Sequence, residues 1–373
     1  MREINVSTNE AGQRLDKLLR KYLKNANTSF IYKMLRKKNI VLNDKKAEGK
    51  EILNLGDSVK MYFSEETFAT MTGRMGQYAG SAEKNRETSA NATAQRTSTT
   101  SDQAASAGKI SAQIRRGASS GNASERGDQR AFDINEFRKH IVYEDENLLV
   151  LNKPSGWLSQ SDGSGLPSVN ELCLRYLMAT GTLTEAQLQT FKPGIANRLD
   201  RNTSGLILFG KTLPALQALA VLLRDRTMEK YYLAIVCGDI DHAQRIDGYL
   251  AKDERTNRVE IRPQPFPDAT EIHTAYEPLK RSADYTVLKV HLITGKTHQI
   301  RAHLRAIGHP IIGDPKYGRK DANAYYRTHG GVKSQLLHAW ELHFPETLDG
   351  PLRNLAGQTI TADPPKDFRP FLK

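Results

Sequence analysis

The sequence predicts an α+β protein made of two folded segments on either side of a long tether, and three observations predict it. Residues 64–131 draw only Phe68, Ile110 and Ile114 from Phe, Ile, Leu and Val. That is too little apolar surface to offset the entropy of ordering so long a stretch, which is expected to be a disordered tether. Before and after it, apolar residues recur at helical spacing in some stretches and form short extended runs in others. These helices and strands do not follow the regular strand–helix–strand rhythm of a parallel sheet, so the sheet is of the α+β kind. The expected divisions are 1–63, 64–131 and 132–373.

In the first segment Leu15, Leu18, Leu19 and Tyr22 recur at i, i+3, i+4 and i+7, one buried helical face. A second helix is expected after Asn27 to Ser29, any of which can cap it. Its Ile31, Met34 and Leu35 turn inward, while Lys33, Arg36 and Lys37 sit at i, i+3 and i+4 on another side, with Lys38 following. IVLND and KKAEG predict a strand and turn, and LNLGDSVKMYF a closing strand. Residues 1–63 hold 14 Lys and Arg against 7 Asp and Glu, so +7 of the chain's +12 lies in about a sixth of its length. A solvated helix face is the common fate of a charge run, but so local an excess favours an anionic partner.

The second segment opens with HIVYEDENLLVLNKPSGWLS, where two apolar stretches flank an acidic turn and predict a hairpin. SVNELCLRYLMATG, LPALQALAVLLRDRT and THQIRAHLRAIG have helical spacing; GLILFGK, KYYLAIVCG and DYTVLKVHLIT are extended runs.

Composition narrows the function classes. The 373 residues contain 54 Lys and Arg against 42 Asp and Glu, and a pI near 9.5 suits a polyanion such as nucleic acid. No apolar run is long enough to span a membrane, and the polar start MREINVSTNE is unlike a secretory signal. Two cysteines, Cys173 and Cys237, build neither a disulfide framework nor a zinc site unaided, so a cytoplasmic protein with buried thiols is expected. Gly205 to Thr212 satisfies the phosphate-loop pattern GxxxxGK followed by Ser or Thr. Such a loop must leave its strand and aim backbone N–H groups at the phosphates, whereas Leu206 to Phe209 are four large apolar residues that belong inside a sheet. A nucleotide site is therefore rejected. A metal site is rejected too, because His298 and His303 stand five apart on an expected helix and share no face.

The stretch ANRLDRNTSG carries the chemistry. In extended structure Leu199 enters the core while Arg198 and Asp200 emerge on one side, and Thr203, Ser204 and Gly205 form a turn at the sheet edge. A guanidinium beside a carboxylate keeps it ionised, as a nucleophile or base requires; an ordinary surface ion pair is the alternative. The same tripeptide occurs at Arg14 to Asp16, but on a helix those two side chains diverge by about 200°, leaving only Leu15 a structural duty. Tyr232, Ala234 and Val236 share one face of a strand, with Tyr232 directed at a cleft or into the core. On the helix of THQIRAHLRAIG, Ile300, Leu304 and Ile307 form the buried stripe, and His298, Arg301 and Arg305 a second face. Arg301, beside the stripe, needs a carboxylate partner, for which Asp200 is the candidate.

QRLDKLLRKYL followed by SFIYKMLRKKNIVLNDKKA resembles an S4 domain, a module that grips structured RNA through its second helix, which implies contacts from Lys33, Arg36, Lys37 and Lys38. YEDENLLVLNKPSGW, NRLDRNTSGLILFGKT, EKYYLAIVCG and ITGKTHQIRAHLRAIGHPIIGDPKYG, in this order, resemble the RluA-type pseudouridine synthases across residues 140–345. The combination is similar to the C and D type enzymes of large-subunit ribosomal RNA and implies a mixed, largely antiparallel catalytic sheet.

The resemblance implies catalytic roles for Asp200, Tyr232 and Arg301: the essential acid, the tyrosine that stacks on the target uracil, and the arginine paired with the acid. It implies that Arg198 replaces the extruded uridine and that Leu337 lines the base pocket. The base must leave its stack to be reached. Asp200 then starts glycosidic cleavage, by attack on the sugar or by proton abstraction leading to a glycal, and the isomerisation calls for no cofactor, metal or nucleotide. The implied partner is RNA, ribosomal or transfer, bound by a monomer with no membrane. The chain departs from the family pattern at Asn197, where histidine is usual, and at Lys296, where arginine is usual. The competing expectation is a non-catalytic RNA-binding assembly factor that uses the basic N-terminal segment alone.

Overall fold

A computed structural model of the protein describes residues 1–72, 132–253 and 255–373; residues 73–131 of the expected tether lie outside the described residues. The chain divides into two compact units, one holding Met1–Asn5, Arg14–Glu51 and residues 57–72, the other Val6–Gln13, Ile52–Gly56 and Phe132–Lys373.

In the first unit, α1 (Leu15–Tyr22) and α2 (Thr28–Arg36) accompany a four-stranded antiparallel sheet of β1 (Arg2–Asn5), β2 (Ile40–Leu42), β3 (Lys45–Lys46) and β4 (Ser58–Met61), in the order β1-β4-β2-β3. Asn27 caps α2 by accepting the Phe30 N–H at 2.8 Å. Its Ile31, Met34 and Leu35 are buried, while Lys33, Arg36, Lys37 and Lys38 are exposed, the last two beyond the helix end. Asn43 and Asp44 turn β2 into β3 with φ of 51° and 60°, a left-handed pair that these residue types tolerate.

Two expectations fail in this unit. Arg14 lies outside α1, in extended conformation, so helical rotation does not separate it from Asp16. Its guanidinium donates to both oxygens of the buried Asp16, at 3.0 and 3.1 Å, and the Tyr32 hydroxyl donates to Oδ2 at 3.1 Å. The tether also begins later than residue 64, because α3 (Glu65–Thr72) is helical. Phe68 supplies the reason: it is buried, its ring 5.2 Å from that of Phe63, with the Arg2 guanidinium 5.6 Å above it.

The second unit is built on an eleven-stranded sheet. Its strands are β5 (Ile141–Glu144), β6 (Leu148–Lys153), β7 (Gly194–Ile195), β8 (Ser204–Gly210), β9 (Glu229–Cys237), β10 (Gln244–Asp253), β11 (Arg258–Arg262), β12 (Thr270–Arg281), β13 (Tyr285–Leu292), β14 (Leu337–His343) and β15 (Thr359–Thr361). They run β11-β10-β12-β13-β9-β14-β8-β6-β5, with β15 beside β14 and β7 beside β8. Only β8 and β14 pair in parallel among the described strands. The helices are α4 (Ile134–Arg138), α5 (Val169–Ala179), α6 (Glu185–Thr190), α7 (Leu213–Asp225), α8 (Gln299–Ala306), α9 (Lys320–Gly330) and α10 (Arg369–Leu372). As expected, β5 and β6 are the hairpin, and the three long helical patterns form α5, α7 and α8.

The central strands are covered on both faces. On one face Ile207 and Phe209 belong to a buried cluster that also holds Leu177 of α5 and Ile300 and Leu304 of α8; on the other, Leu206 and Leu208 belong to one with Leu219 and Leu222 of α7. A strand buried on both sides is continuously apolar, which is why LILF is no phosphate loop. Lys211, the lysine of that look-alike motif, instead pairs with Glu144 at 2.9 Å, and Thr212 caps α7.

Gly205 makes the parallel seam possible. Its φ is +110°, and a Cβ there would lie 2.1 Å from the Ala339 carbonyl oxygen, so no other residue fits. Next to it, buried His338 accepts from the Ser204 hydroxyl at Nδ1 (2.8 Å) and donates from Nε2 to the Ala362 carbonyl (3.0 Å). In α8, buried His303 contacts the Thr274 hydroxyl at 2.9 Å.

Burial pushes the pKa of both histidines from 6.5 down to about 4. The unfolded chain therefore binds protons first as the solution is acidified, so the stability these residues contribute is complete above about pH 6.5 and is lost as pH falls toward about 4. Urea midpoints of the whole chain are expected to drop across this window, as the unfolding free energy falls by a few kcal/mol at most per histidine. A constant midpoint from pH 7 to 4.5 would contradict the buried neutral state of both.

Candidate active site

Asp200 is placed by a short irregular segment leading into β8. Leu199 is buried, and its N–H and carbonyl both bond the Ser159 hydroxyl, at 3.0 and 2.7 Å, while Arg198 stays exposed and Asp200 half-exposed. The expected alternation therefore holds. Thr203 closes the following turn with its N–H on the Asp200 carbonyl at 3.0 Å. Beneath the turn lies Lys153, fully buried, whose ammonium reaches the carbonyls of Pro154, Trp157 and Arg201, each at 3.0 Å. Burial lowers its pKa to about 7, against the opposing pull of the Asp200 charge.

The carboxylate's partner is neither neighbouring arginine. Arg201 donates to the Gly156 carbonyl, and Arg301, 101 residues away on α8, donates from Nη1 to Asp200 Oδ2 at 2.7 Å. Arg301 is 4% exposed and holds a second acid as well: Nε and Nη2 grip the two oxygens of Asp314 at 2.7 and 2.9 Å. Burial opposes the guanidinium charge, but the bonds and charges of Asp314 and Asp200 overcome it and raise the pKa of Arg301. Asp314, 1% exposed, also accepts the N–H groups of Lys316 and Tyr317, and its carboxyl is held below the usual range: burial works to raise it, and Arg301 outweighs that.

Asp200 and Arg301 face a cleft of about 740 Å³. Arg198, Asp200, Tyr232, Lys296, Arg301 and Leu337 all line it. Tyr232 comes from β9, with Ala234 and Val236 on the same face, as the spacing predicts. It is a nearly buried tyrosine whose hydroxyl pKa is raised by burial and then by the Asp200 charge. Leu337 starts β14, opposite Ala234. Lys33, Arg36, Lys37 and Lys38 belong to the other unit. Asn197 makes a structural bracket: it donates to the Leu206 carbonyl and accepts the Leu208 N–H, holding its segment against β8.

One expectation needs correction. His298 is not on the helix but precedes it, in a left-handed conformation (φ 56°), and α8 is buried around much of its circumference rather than along one stripe. The reading also missed Asp314 and Lys153. The sequence holds a faint signal for the first, since a buried arginine fork can grip one carboxylate and still reach another; a lysine satisfied by three carbonyls has no spacing to betray it.

A half-exposed carboxylate held by a buried arginine, beside a tyrosine in a nucleoside-sized cleft, suits acid–base or nucleophilic work on a ring substrate. The family model described as RNA pseudouridylate synthase matches residues 147–306, which include all of this except Asp314 and Leu337. Over 342 residues the chain is 30% identical to the ribosomal large subunit pseudouridine synthase C of Vibrio cholerae, covering 91% of this chain and 88% of that one.

The chain belongs to the RluA family of RNA pseudouridine synthases.

It is an isomerase that converts uridine to pseudouridine in RNA. The synthase is also 33% identical over 238 residues to the ribosomal large subunit pseudouridine synthase D of Pasteurella multocida, covering 60% of this chain and 68% of that one. Its fold matches the structure of human RNA pseudouridylate synthase domain containing 4, with a TM-score of 0.50, 20% identity, and coverage of 63% and 92%. Among the described residues no helix is long and apolar enough to cross a membrane.

Replacing Asp314 by Asn strips the synthase's buried arginine of its full counter-charge. The expected cost is about 3 kcal/mol of stability together with reduced turnover, read from urea midpoints and single-turnover rates. An unchanged midpoint would mean that Asp314 does not anchor Arg301.

Proposed function

We propose that the synthase modifies uridines of large-subunit ribosomal RNA, with Asp200 initiating cleavage of the glycosidic bond. The observation that carries this reading is the Asp200–Arg301 contact, 2.7 Å long, at the wall of a cleft large enough for a nucleoside. The ribosomal target is suggested by the names of the relatives, which cover nine-tenths of the chain.

In the reaction the N1–C1′ bond breaks, the uracil turns, and a C5–C1′ bond forms; the proton lost from C5 is balanced by one gained at N1. Asp200 acts on the sugar, as a nucleophile at C1′ or as a base at C2′, and Arg301 fixes its orientation. Flipping the uridine out of its stack costs a few kcal/mol, which stacking on Tyr232 and contact with Leu337 offset. Arg198, exposed on the same side as Asp200, fills the space left in the RNA. The N-terminal unit, as an S4-type domain, grips RNA phosphates through Lys33, Arg36, Lys37 and Lys38, whose exposure supports that role. On this reading the synthase acts as a monomer in the cytoplasm.

Asp200→Asn should lower pseudouridine formation on ribosomal RNA fragments by about 10³-fold or more while changing affinity less than about threefold. Charge reversal at Arg36 and Lys37 should do the opposite, weakening binding and its salt dependence. Full pseudouridine formation by Asp200→Asn would remove that aspartate from the chemistry and leave bond cleavage to another group of the cleft.

A further inference from the structure

His298 stands beside the catalytic pair in an unusual posture. It is a non-glycine residue at φ 56° and ψ 14°, it makes no side-chain cap to the helix it precedes, and its side chain is only 7% exposed. A left-handed conformation at such a residue is held by its surroundings and re-aims the side chain. Here it points the imidazole between two groups. Nδ1 lies 3.0 Å from the Tyr317 hydroxyl, and Nε2 lies 3.9 Å from Asp200 Oδ2.

The tautomer follows from the hydroxyl's other bond. The Val259 N–H donates to the Tyr317 oxygen at 3.0 Å, so the hydroxyl already accepts one bond, and its own proton is free to donate to Nδ1. Burial raises the pKa of that hydroxyl, which keeps the proton in place. The ring proton of His298 is then on Nε2, facing the carboxylate. Burial lowers the imidazole pKa to about 4, against the raising effect of Asp200 and with the lowering effects of Arg301 and Lys316, so the ring is a neutral donor.

Both donors address one oxygen. Arg301 binds Oδ2 at 2.7 Å and His298 faces the same atom, while no hydrogen bond among the described residues reaches Oδ1. From this geometry, and resting on the assignment of Asp200 above, we propose that Tyr317 and His298 form a relay that holds Asp200 by Oδ2 and presents Oδ1 as the oxygen that acts on the ribose. The gap of 3.9 Å is too long for a hydrogen bond without substrate. It closes when the bound nucleotide engages Oδ1, as catalytic hydrogen bonds commonly tighten in the complex. His298 is thus a positioning residue, acting through Asp200.

The test compares His298→Ala, His298→Gln and Tyr317→Phe in single-turnover assays on a ribosomal RNA fragment, with Asp200→Asn as reference. The Gln amide nitrogen can stand where Nε2 stands. Loss of a supporting donor of this kind costs about 10- to 100-fold, so His298→Ala should lose that much in kcat with KM nearly unchanged. His298→Gln should recover most of it, and Tyr317→Phe should fall between. Nitrogen-15 NMR of histidine-labelled wild-type protein, with the His298 signal identified by its absence in His298→Gln, should show a protonated Nε2. A protonated Nδ1, a Gln variant no better than Ala, or an Ala variant as active as wild type would overturn the relay. If His298→Ala is fully active while Asp200→Asn is dead, only the relay falls; an active Asp200→Asn removes the aspartate assignment and the relay with it.

Discussion

Arg301 is the residue on which the rest of the site depends. A guanidinium taken this far out of water is tolerated only if its donors find acceptors and its charge finds opposite charge. Asp314 supplies both through a two-pronged bond, leaving Nη1 for Asp200. The planar fork sets the direction of that remaining donor, so the carboxylate is held by geometry as much as by charge. Asp314 in turn is pinned by two backbone N–H groups of its own loop. Asp200 therefore sits at the end of a chain of rigid contacts that runs through α8 into a buried turn.

Much of this was legible in the sequence because it was periodic. Alternation placed Leu199 inward and Arg198 and Asp200 outward, and it brought Tyr232 and Ala234 to one face. The spacing of Ile300 and Leu304 set Arg301 beside the buried stripe and so demanded an acid for it. The hydrophobic run of β8 ruled out a phosphate loop for a reason the structure bears out, since both faces of the strand are buried. The resemblance of four ordered motifs then gave these positions their chemistry.

What escaped was not periodic. In the first RLD copy, helical rotation does not apply, because Arg14 is the residue before the helix and folds back on Asp16. α3 was lost because a single phenylalanine in a polar stretch gives no pattern, yet Phe68 finds a ring and a guanidinium to cover it. Lys153, Asp314 and the His298–Tyr317 pair are joined to the site by contacts between residues distant in sequence or by an uncommon backbone angle, and neither leaves a mark on local spacing. Asn197 departs from the family's histidine, and its two bonds to β8 show what that position does here.

The parallel seam between β8 and β14 sets an order of events. Ser204 and His338 meet there across more than a hundred intervening residues, and long-range pairings of this kind form late because loop closure must come first. Leu337 lines the cleft from the same strand, so the cleft is finished only when that strand docks. During synthesis the acid and its arginine emerge well before the wall that completes their cleft. A ribosome-bound nascent chain, surrounded by ribosomal RNA, therefore carries an unfinished pocket until nearly all of its length has been made.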